Sequence, residues 1–321
     1  MVGKVSYEKL NKIVFKRLGK KDRDIIVGPK VGEDSASIKI GKKFLVVSSD
    51  PIIFAEDRIG ALGIHIAAND VAASGAVPRW MSVVLFLPDN PKVLDKITKQ
   101  LHREAKRLGI SIIGGHSEYA PEIRRPFISL TCFGITNRFI PTSGAKPGDK
   151  IILTKGAAIE ATGIIATDFE KELIGRVPRY LIKRAKKRLN QISVVKEALV
   201  ISKYANAMHD PTEGGIIDGL LEVAIASRKK LIIDKSKIKI HEDTKAVSEA
   251  VNVNPLKIFS SGALIATIPR DKANKALKIL KKNNIDAWII GEVKNSKKAM
   301  VILGNEKIEK PVRDELYDLW V

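Results

Sequence analysis

A segment rich in proline, glycine, serine and threonine divides this sequence into two parts, and it constrains the fold more than any other feature. The segment is PTSGAKPGDK, residues 141–150, and such clusters form loops between packed elements. At roughly 150 residues per domain, a chain of 321 residues has room for one domain on each side. We therefore predict two domains, residues 1–145 and 146–321.

The first part alternates strand-like and helix-like segments. Short runs rich in β-branched and aromatic residues predict strands at 44–49, 83–87 and 127–135. A segment of small residues at 59–74 and apolar residues at helical spacing in 91–108 predict the helices between them.

The second part begins with a predicted strand at 151–154 and contains a strongly helical segment at 216–226. Its last segments read strand, helix, strand and strand, in GALIATI, DKANKALKILKKN, DAWIIGEV and AMVIL. This order predicts a mixed sheet with helices on one face. The predicted fold class is α+β, with two domains.

Composition excludes several classes of protein. Hydrophobic residues make up 45% of the chain, which excludes a largely disordered protein. No apolar stretch approaches the ~20 residues that span a bilayer. The first segment, 1–24, lacks the apolar core of a secretion signal and instead predicts a basic amphipathic helix with Leu10, Val14 and Leu18 on one side. The single cysteine, Cys132, cannot form an intramolecular disulfide, as expected for a cytoplasmic protein.

The chain carries 56 basic and 36 acidic side chains, a net charge of +20. Such a charge attracts polyanions, RNA included. The basic residues are, however, spread along the chain, and only 5% of residues are aromatic, too few for the base-stacking surfaces of single-strand binders. We therefore interpret the charge as a lysine-rich surface and do not expect a nucleic-acid partner.

Four segments carry acidic residues beside apolar or small ones: VGEDSA, SSDP, ANDVAASGAVP and HDPTEGG. They contain Asp34, Asp50, Asp70 and Asp210. Carboxylates that arrive from several elements suit Mg²⁺, usually completed by phosphate oxygens and water. The glycine pair in HDPTEGG precedes a helix and offers backbone N–H groups to an anion. An aspartate in a loop is more often a turn former or a helix cap, so the residues alone lead to a candidate magnesium–phosphate site.

The ordered set VGEDSA, SSDP, ANDVAASGAVP, GGHSE, HDPTEGG and SSGALIATI resembles the aminoimidazole-ribonucleotide synthase (PurM-like) superfamily. This superfamily includes selenophosphate synthetase, thiamine-monophosphate kinase and the hydrogenase-maturation protein HypE. The resemblance runs from about residue 31 to 293, and it is closest to HypE, through GDKIILTKGAAIEATGIIA, MHDPTEGG, FSSGALIA and IIGEV.

The resemblance implies a homodimer, in which the first domains pack their strands into a shared core, and Mg·ATP bound between domains. It implies that the four aspartates bind magnesium and that the residues that contact the nucleotide also include Gly114, Gly115, His116, Ser117, Thr212 and Glu213. We further predict catalytic roles for His116, Asp210 and Glu213, and a phosphate-neutralising role for Lys155, although a surface position is the default for this lysine. We expect His65 and Cys132 to be core residues.

The sequence departs from HypE where HypE uses a C-terminal cysteine as the acceptor of a carboxamide, because KPVRDELYDLWV contains none. The first hypothesis is therefore an ATP- and Mg²⁺-dependent enzyme. It would activate an amide, carbonyl or phosphate oxygen of a small molecule or partner protein by phosphoryl or adenylyl transfer. The alternative is a non-catalytic nucleotide-binding assembly partner, and a weaker third hypothesis is an RNA-associated protein.

Overall fold

The computed structural model describes residues 3–53 and 56–320. Its strands are β1 (Ile25–Val27), β2 (Ala36–Ile40), β3 (Lys43–Ile52), β4 (Val77–Leu87), β5 (Ser111–Tyr119), β6 (Phe127–Thr136), β7 (Lys150–Thr154), β8 (Ala207–His209), β9 (Lys230–Ile233), β10 (Ile265–Ile268), β11 (Ala287–Lys294), β12 (Met300–Leu303) and β13 (Glu306–Ile308). Its α-helices are α1 (Tyr7–Lys9), α2 (Ile59–Ala73), α3 (Pro91–Leu108), α4 (Ile159–Asp168), α5 (Glu170–Leu173), α6 (Arg179–Lys186), α7 (Val195–Ile201), α8 (Gly215–Ser227), α9 (Glu242–Ala250) and α10 (Arg270–Lys282).

The first sheet has the strand order β1-β2-β3-β6-β4-β5. Its pairs are antiparallel except for β4 and β5, which run parallel. Helices α2 and α3 cover one face, where Val46, Met81 and Leu130 pack against Ile64 and Ile97. Along β4 and β6 buried residues alternate with half-buried ones, so the opposite face is only partly covered.

The second sheet has the strand order β13-β12-β9-β11-β7-β10-β8 and is mixed, as predicted, since β9 and β12 run parallel. The expectation of helices on one face was wrong. Ile151 and Leu153 point to a core that contains α8, whereas Ile152 points to a second core that contains residues of α7 and α10. Because β7 is buried on both faces, its sequence is continuously apolar.

Helix α2 joins the two sheets. Gly63 lets it approach β6, because a Cβ there would lie 2.6 Å from a methyl group of Leu130. The Asn69 side chain donates to the carbonyl oxygen of Ile192 at 2.9 Å and accepts from the backbone N–H of Val194 at 2.8 Å. Helix α2 therefore places its next residue, Asp70, where the two halves of the chain meet.

The predicted basic helix at 1–24 is much shorter than expected. Within the described part of that segment, helical structure covers Tyr7–Lys9 and a π-helical turn, Leu10–Val14. Its apolar residues Ile13, Val14 and Leu18 are exposed, so no apolar partner extends the helix. None of the helices in the described part of the chain is both long and apolar enough to cross a membrane.

Candidate active site between the two sheets

Asp34, Asp50 and Asp70 meet beside Ser48, and Asp210 lies close to all three. Asp34 precedes β2, Asp50 lies in β3, Asp70 in α2, and Asp210 directly follows β8. The Ser48 hydroxyl lies 2.5 Å from Asp70 Oδ2, 3.2 Å from Asp50 Oδ2 and 3.1 Å from the backbone oxygen of Asp34. The structure therefore brings together the four aspartates that the sequence singled out.

This acidic cluster is electrostatically unfavourable without a cation. Burial raises the pKa of all four carboxyl groups above the ordinary value. The neighbouring carboxylates of Asp50, Asp210 and Asp34 raise the pKa of Asp70 further. Both carboxylate oxygens of Asp210, and Oδ2 of Asp34, are buried without a hydrogen-bond donor from the described residues. Buried carboxylate oxygens of this kind need either protons or a metal ion.

The donor set fits magnesium. Among the described residues, no three carboxylate, imidazole or thiolate groups converge as a preformed metal cage. Mg²⁺ does not need such a cage, since it is usually bound by one or two carboxylates together with water and substrate phosphates. Asp210 and Asp50, with Asp34 and Asp70 beside them, are the residues that would hold it.

His209 links the acidic cluster to helix α8. Its Nδ1 lies 2.5 Å from Asp34 Oδ1 and its Nε2 lies 2.9 Å from Glu222 Oε2. Burial disfavours the charged imidazolium, but the carboxylates of Asp34 and Glu222 outweigh it and raise the pKa of His209 well above its ordinary value. His209 is therefore a cation that fixes the orientation of Asp34.

The segment before α1 reaches into the same region. The backbone N–H of Lys4 donates to Glu213 Oε1 at 2.8 Å, and its Nζ lies 3.4 Å from both Thr212 Oγ1 and Glu222 Oε1. The Tyr7 hydroxyl donates to Glu222 Oε1 at 3.0 Å. Sequence analysis missed Lys4, Tyr7 and Glu222 as residues of the site.

The two glycines before α8 do not present free N–H groups to an anion. The N–H of Gly214 donates to Asp314 Oδ2 at 2.8 Å, and that of Gly215 donates to the carbonyl oxygen of Thr212 at 3.2 Å. Both glycines have positive φ, 77° and 68°, a conformation that favours glycine. The pair therefore serves the turn into α8, and Asp314 occupies the donor that we expected to contact phosphate.

A cavity of about 380 Å³ opens beside the acidic cluster. Asp50, Thr212 and Glu213, three of the predicted nucleotide-contacting residues, line it together with Lys4. The remainder of its lining is largely apolar and includes residues of α2 and α4. The cavity thus lies where the two halves of the chain meet, next to the candidate magnesium ligands.

Two family models match most of the chain. Residues 32–136 match the N-terminal domain of AIR synthase related proteins, and residues 146–304 match the C-terminal domain. The chain belongs to the AIR synthase related family.

One relative by sequence and several solved structures span almost the whole chain. A Methanocaldococcus jannaschii protein, named for a role in hydrogenase expression and formation, is 28% identical over 98% of this chain and 96% of its own. Among solved structures, AaThiL complexed with AMPPCP and TMP has a TM-score of 0.79 at 21% identity, covering 98% of this chain and 99% of that chain. HypE in complex with ATP has a TM-score of 0.73 at 20% identity, covering 98% and 97%. At these identities, the structures establish a shared fold.

Within this AIR synthase related fold, the structure does not bring the predicted residues Gly114, Gly115, His116 and Ser117 to the acidic cluster of the same chain. They lie in β5, the exposed edge strand of the first sheet. His116 is exposed, and its Nε2 lies 3.2 Å from Glu118 Oε2. Both glycines lie within the strand, and a Cβ on Gly115 would collide with the carbonyl oxygen of Val83.

Lys155 does not reach the cavity, and it is not a surface lysine either. Its Nζ lies 2.6 Å from Glu197 Oε1 and donates to the carbonyl oxygens of Gln191 and Ser193 at 2.9 and 2.7 Å. These three partners hold the ammonium group in place. Lys155 therefore stabilises the packing of α7, and the structure corrects its proposed role at a phosphate.

The two predicted core residues are confirmed. His65 is 4% exposed, and its Nε2 lies 3.1 Å from Glu104 Oε2. Burial lowers the pKa of His65 to about 4, which keeps the ring neutral. Cys132 is fully buried, and burial raises the pKa of its thiol to about 12. A thiol of this kind is not a nucleophile.

Proposed function

We propose that this protein binds ATP with Mg²⁺ and transfers a phosphoryl or adenylyl group to an amide, carbonyl or phosphate oxygen of an acceptor. The acceptor is a small molecule or a partner protein. The observation that carries the proposal is the acidic cluster, in which the buried oxygens of Asp210 receive no hydrogen bond from the described residues and lie beside a cavity of ligand size. The ATP and AMPPCP complexes of HypE and AaThiL support the nucleotide.

The residues of the cluster would divide the work of positioning. Asp50 and Asp210 would hold Mg²⁺, while Ser48 orients Asp50 and Asp70, and His209 orients Asp34. Magnesium, when bound, would neutralise phosphate charge and fix the reacting group. Thr212 and Lys4 line the same cavity and would contact the phosphate oxygens.

The first test is titration calorimetry of Mg·ATP into the purified protein, with product analysis on the same sample. We expect saturable binding that requires Mg²⁺. ADP would identify phosphoryl transfer and AMP would identify adenylyl transfer. Binding without either product would favour the alternative, a non-catalytic nucleotide-binding assembly partner. No binding would contradict both functions.

We also propose that the protein is a homodimer that pairs through the first sheet. Strand β5 is an exposed edge, and its Ile113 is 60% exposed. Helices α2 and α3 cover only one face of that sheet, and the other face presents half-buried apolar residues such as Val84, Phe86 and Phe133. An exposed apolar edge strand invites pairing with a second chain.

Replacing Ile113 by aspartate is expected to convert the dimer into a monomer, because the new charge would be desolvated at the interface. Light scattering coupled to size-exclusion chromatography measures the mass. The matched control is Ile174→Asp, since Ile174 is similarly exposed, at 65%, just after α5. A wild-type monomer, or equal effects of both substitutions, would contradict pairing through β5.

A further inference from the structure

The cavity beside the acidic cluster has an apolar compartment that phosphate binding does not need. Leu62 and Ile66 of α2, Ile164 of α4 and Phe259 line it and belong to one apolar cluster. Leu62 and Ile66 are four residues apart, so one face of α2 points into it. Polyphosphate is highly charged, so apolar walls suit a different group.

Glu160 places a carboxyl group in this apolar compartment. It lies one helical turn before Ile164 on α4, is 6% exposed and lines the cavity. Burial raises its pKa to about 7, and the neighbouring Ser261 offsets the effect only in part. A buried carboxylate whose charge is stabilised so little by its own chain is suited to pairing with a charged group of a ligand.

The cavity is acidic although the chain is strongly basic. Among the described residues that line it, Asp50, Glu160 and Glu213 are acidic, and the single basic residue is Lys4, in a chain of net charge +20. The Lys4 ammonium group contacts Thr212 and Glu222, so it is not directed towards Glu160. This reversal of sign favours a cationic ligand over an anionic one.

Aromatic rings complete the compartment. Phe259 packs edge-to-face against Tyr317, with centroids 5.5 Å apart and an interplanar angle of 86°, and both rings line the cavity. Aromatic faces attract cations, more strongly where water is excluded. The volume of the whole cavity, about 380 Å³, is at the lower end of the range for small-molecule pockets.

We propose that this compartment binds the acceptor, and that the acceptor is a small molecule with an apolar or aromatic body and a nitrogen cation that pairs with Glu160. Its role as acceptor site rests on the proposed function, whereas its preference for a cation does not. The cationic group is an ammonium, amidinium or guanidinium. It anchors the body against Phe259, which leaves the other end of the molecule towards Asp50.

The test compares benzamidinium, benzamide and benzoate, three probes of similar shape but different charge, by calorimetry at about pH 8, where most of the Glu160 carboxyl is ionised. We expect benzamidinium to bind with a dissociation constant of about 1 mM or tighter. Benzamide should bind at least about tenfold more weakly, since it offers hydrogen bonds but no charge. Benzoate should not bind.

The variants locate the binding. Glu160→Gln should weaken benzamidinium binding at least about tenfold, and Phe259→Leu should weaken it by about threefold or more. The control Glu122→Gln, on an exposed loop, should leave it unchanged. Equal binding of all three probes, no binding of benzamidinium, or wild-type affinity in Glu160→Gln would overturn the cation preference.

Mg·ATP binding is measured on the same proteins and separates this proposal from the proposed function. If Mg·ATP binds and benzamidinium does not, the cation compartment fails and the nucleotide site stands. If benzamidinium binds through Glu160 and Mg·ATP does not bind, the acceptor role fails with the proposed function. A cooperative unfolding transition in denaturant identifies folded Glu160→Gln and does not depend on either ligand.

Discussion

Asp210→Asn is expected to weaken Mg·ATP binding at least about a hundredfold and to stabilise the protein without ligand. The loss of affinity follows because Asp210 would pair with Mg²⁺ in the complex, and truncating one partner of a buried charge pair costs about 2–5 kcal/mol of binding free energy. The gain in stability follows because the wild-type Asp210 carboxylate is 2% exposed, lacks donors among the described residues and is repelled by Asp34 and Asp50. Asparagine has the same shape and no charge, so the unfolding free energy should rise by about 1–2 kcal/mol at neutral pH.

Calorimetry measures the affinity and chemical denaturation measures the stability. Asp50→Asn should also weaken Mg·ATP binding, while the control Asp89→Asn, on an exposed turn, should change neither quantity. Opposite changes in affinity and stability indicate a site whose charge is kept for a ligand. Unchanged affinity in both Asp50→Asn and Asp210→Asn would mean that the acidic cluster does not bind the nucleotide.

Helices with complete end signals could be predicted from the sequence to the residue. Helix α3 runs over the predicted 91–108. The Asn90 side chain accepts from the backbone N–H of Lys92, Pro91 occupies the first turn, and Gly109 ends the helix with φ of 70°. These are local signals whose physical causes do not depend on the rest of the fold.

Strand β5 could not be predicted in the same way. All of its residues are exposed in the single chain, so its sequence shows no alternation of apolar and polar residues, and Gly114 and Gly115 weaken the strand pattern. Its position depends on parallel pairing with β4, a contact between distant segments. The sequence pattern that reveals a strand is produced by burial, which is absent here.

The four aspartates of the candidate site were singled out from the sequence, but their arrangement and the residues Lys4, Tyr7 and Glu222 were not. Asp34 and His209 are 175 positions apart and lie 2.5 Å from each other, and nothing local encodes that contact. One missed signal was readable: Asp218 and Glu222 are four residues apart in the otherwise apolar helix GIIDGLLEVAIAS. Two buried carboxylates on one helix face indicate a polar site. Lys4 and Tyr7 carry no comparable signal.

The other large effect concerns Glu160 and pH. The folded protein holds the Glu160 proton up to about pH 7, whereas the ordinary pKa is 4.5. Folding therefore takes up a proton between these values, and the stability contributed by the protonated group is lost as the pH rises through about 7. We expect Glu160→Gln to avoid this loss. The unfolding free energy of Glu160→Gln minus that of the wild type should be about 2 kcal/mol larger at pH ~8 than at pH ~5.

Denaturant titrations of both proteins across that pH range measure the difference. The variant should keep some pH dependence, because burial also raises the pKa of Asp314 to about 7. Glu122→Gln, at an exposed position, should follow the wild type at every pH. A constant difference in unfolding free energy between Glu160→Gln and the wild type would show that the carboxyl ionises freely in the folded protein.

Because a ligand cation at Glu160 would bind best to the ionised form, benzamidinium should offset the loss of stability above pH ~7 in the wild type and not in Glu160→Gln.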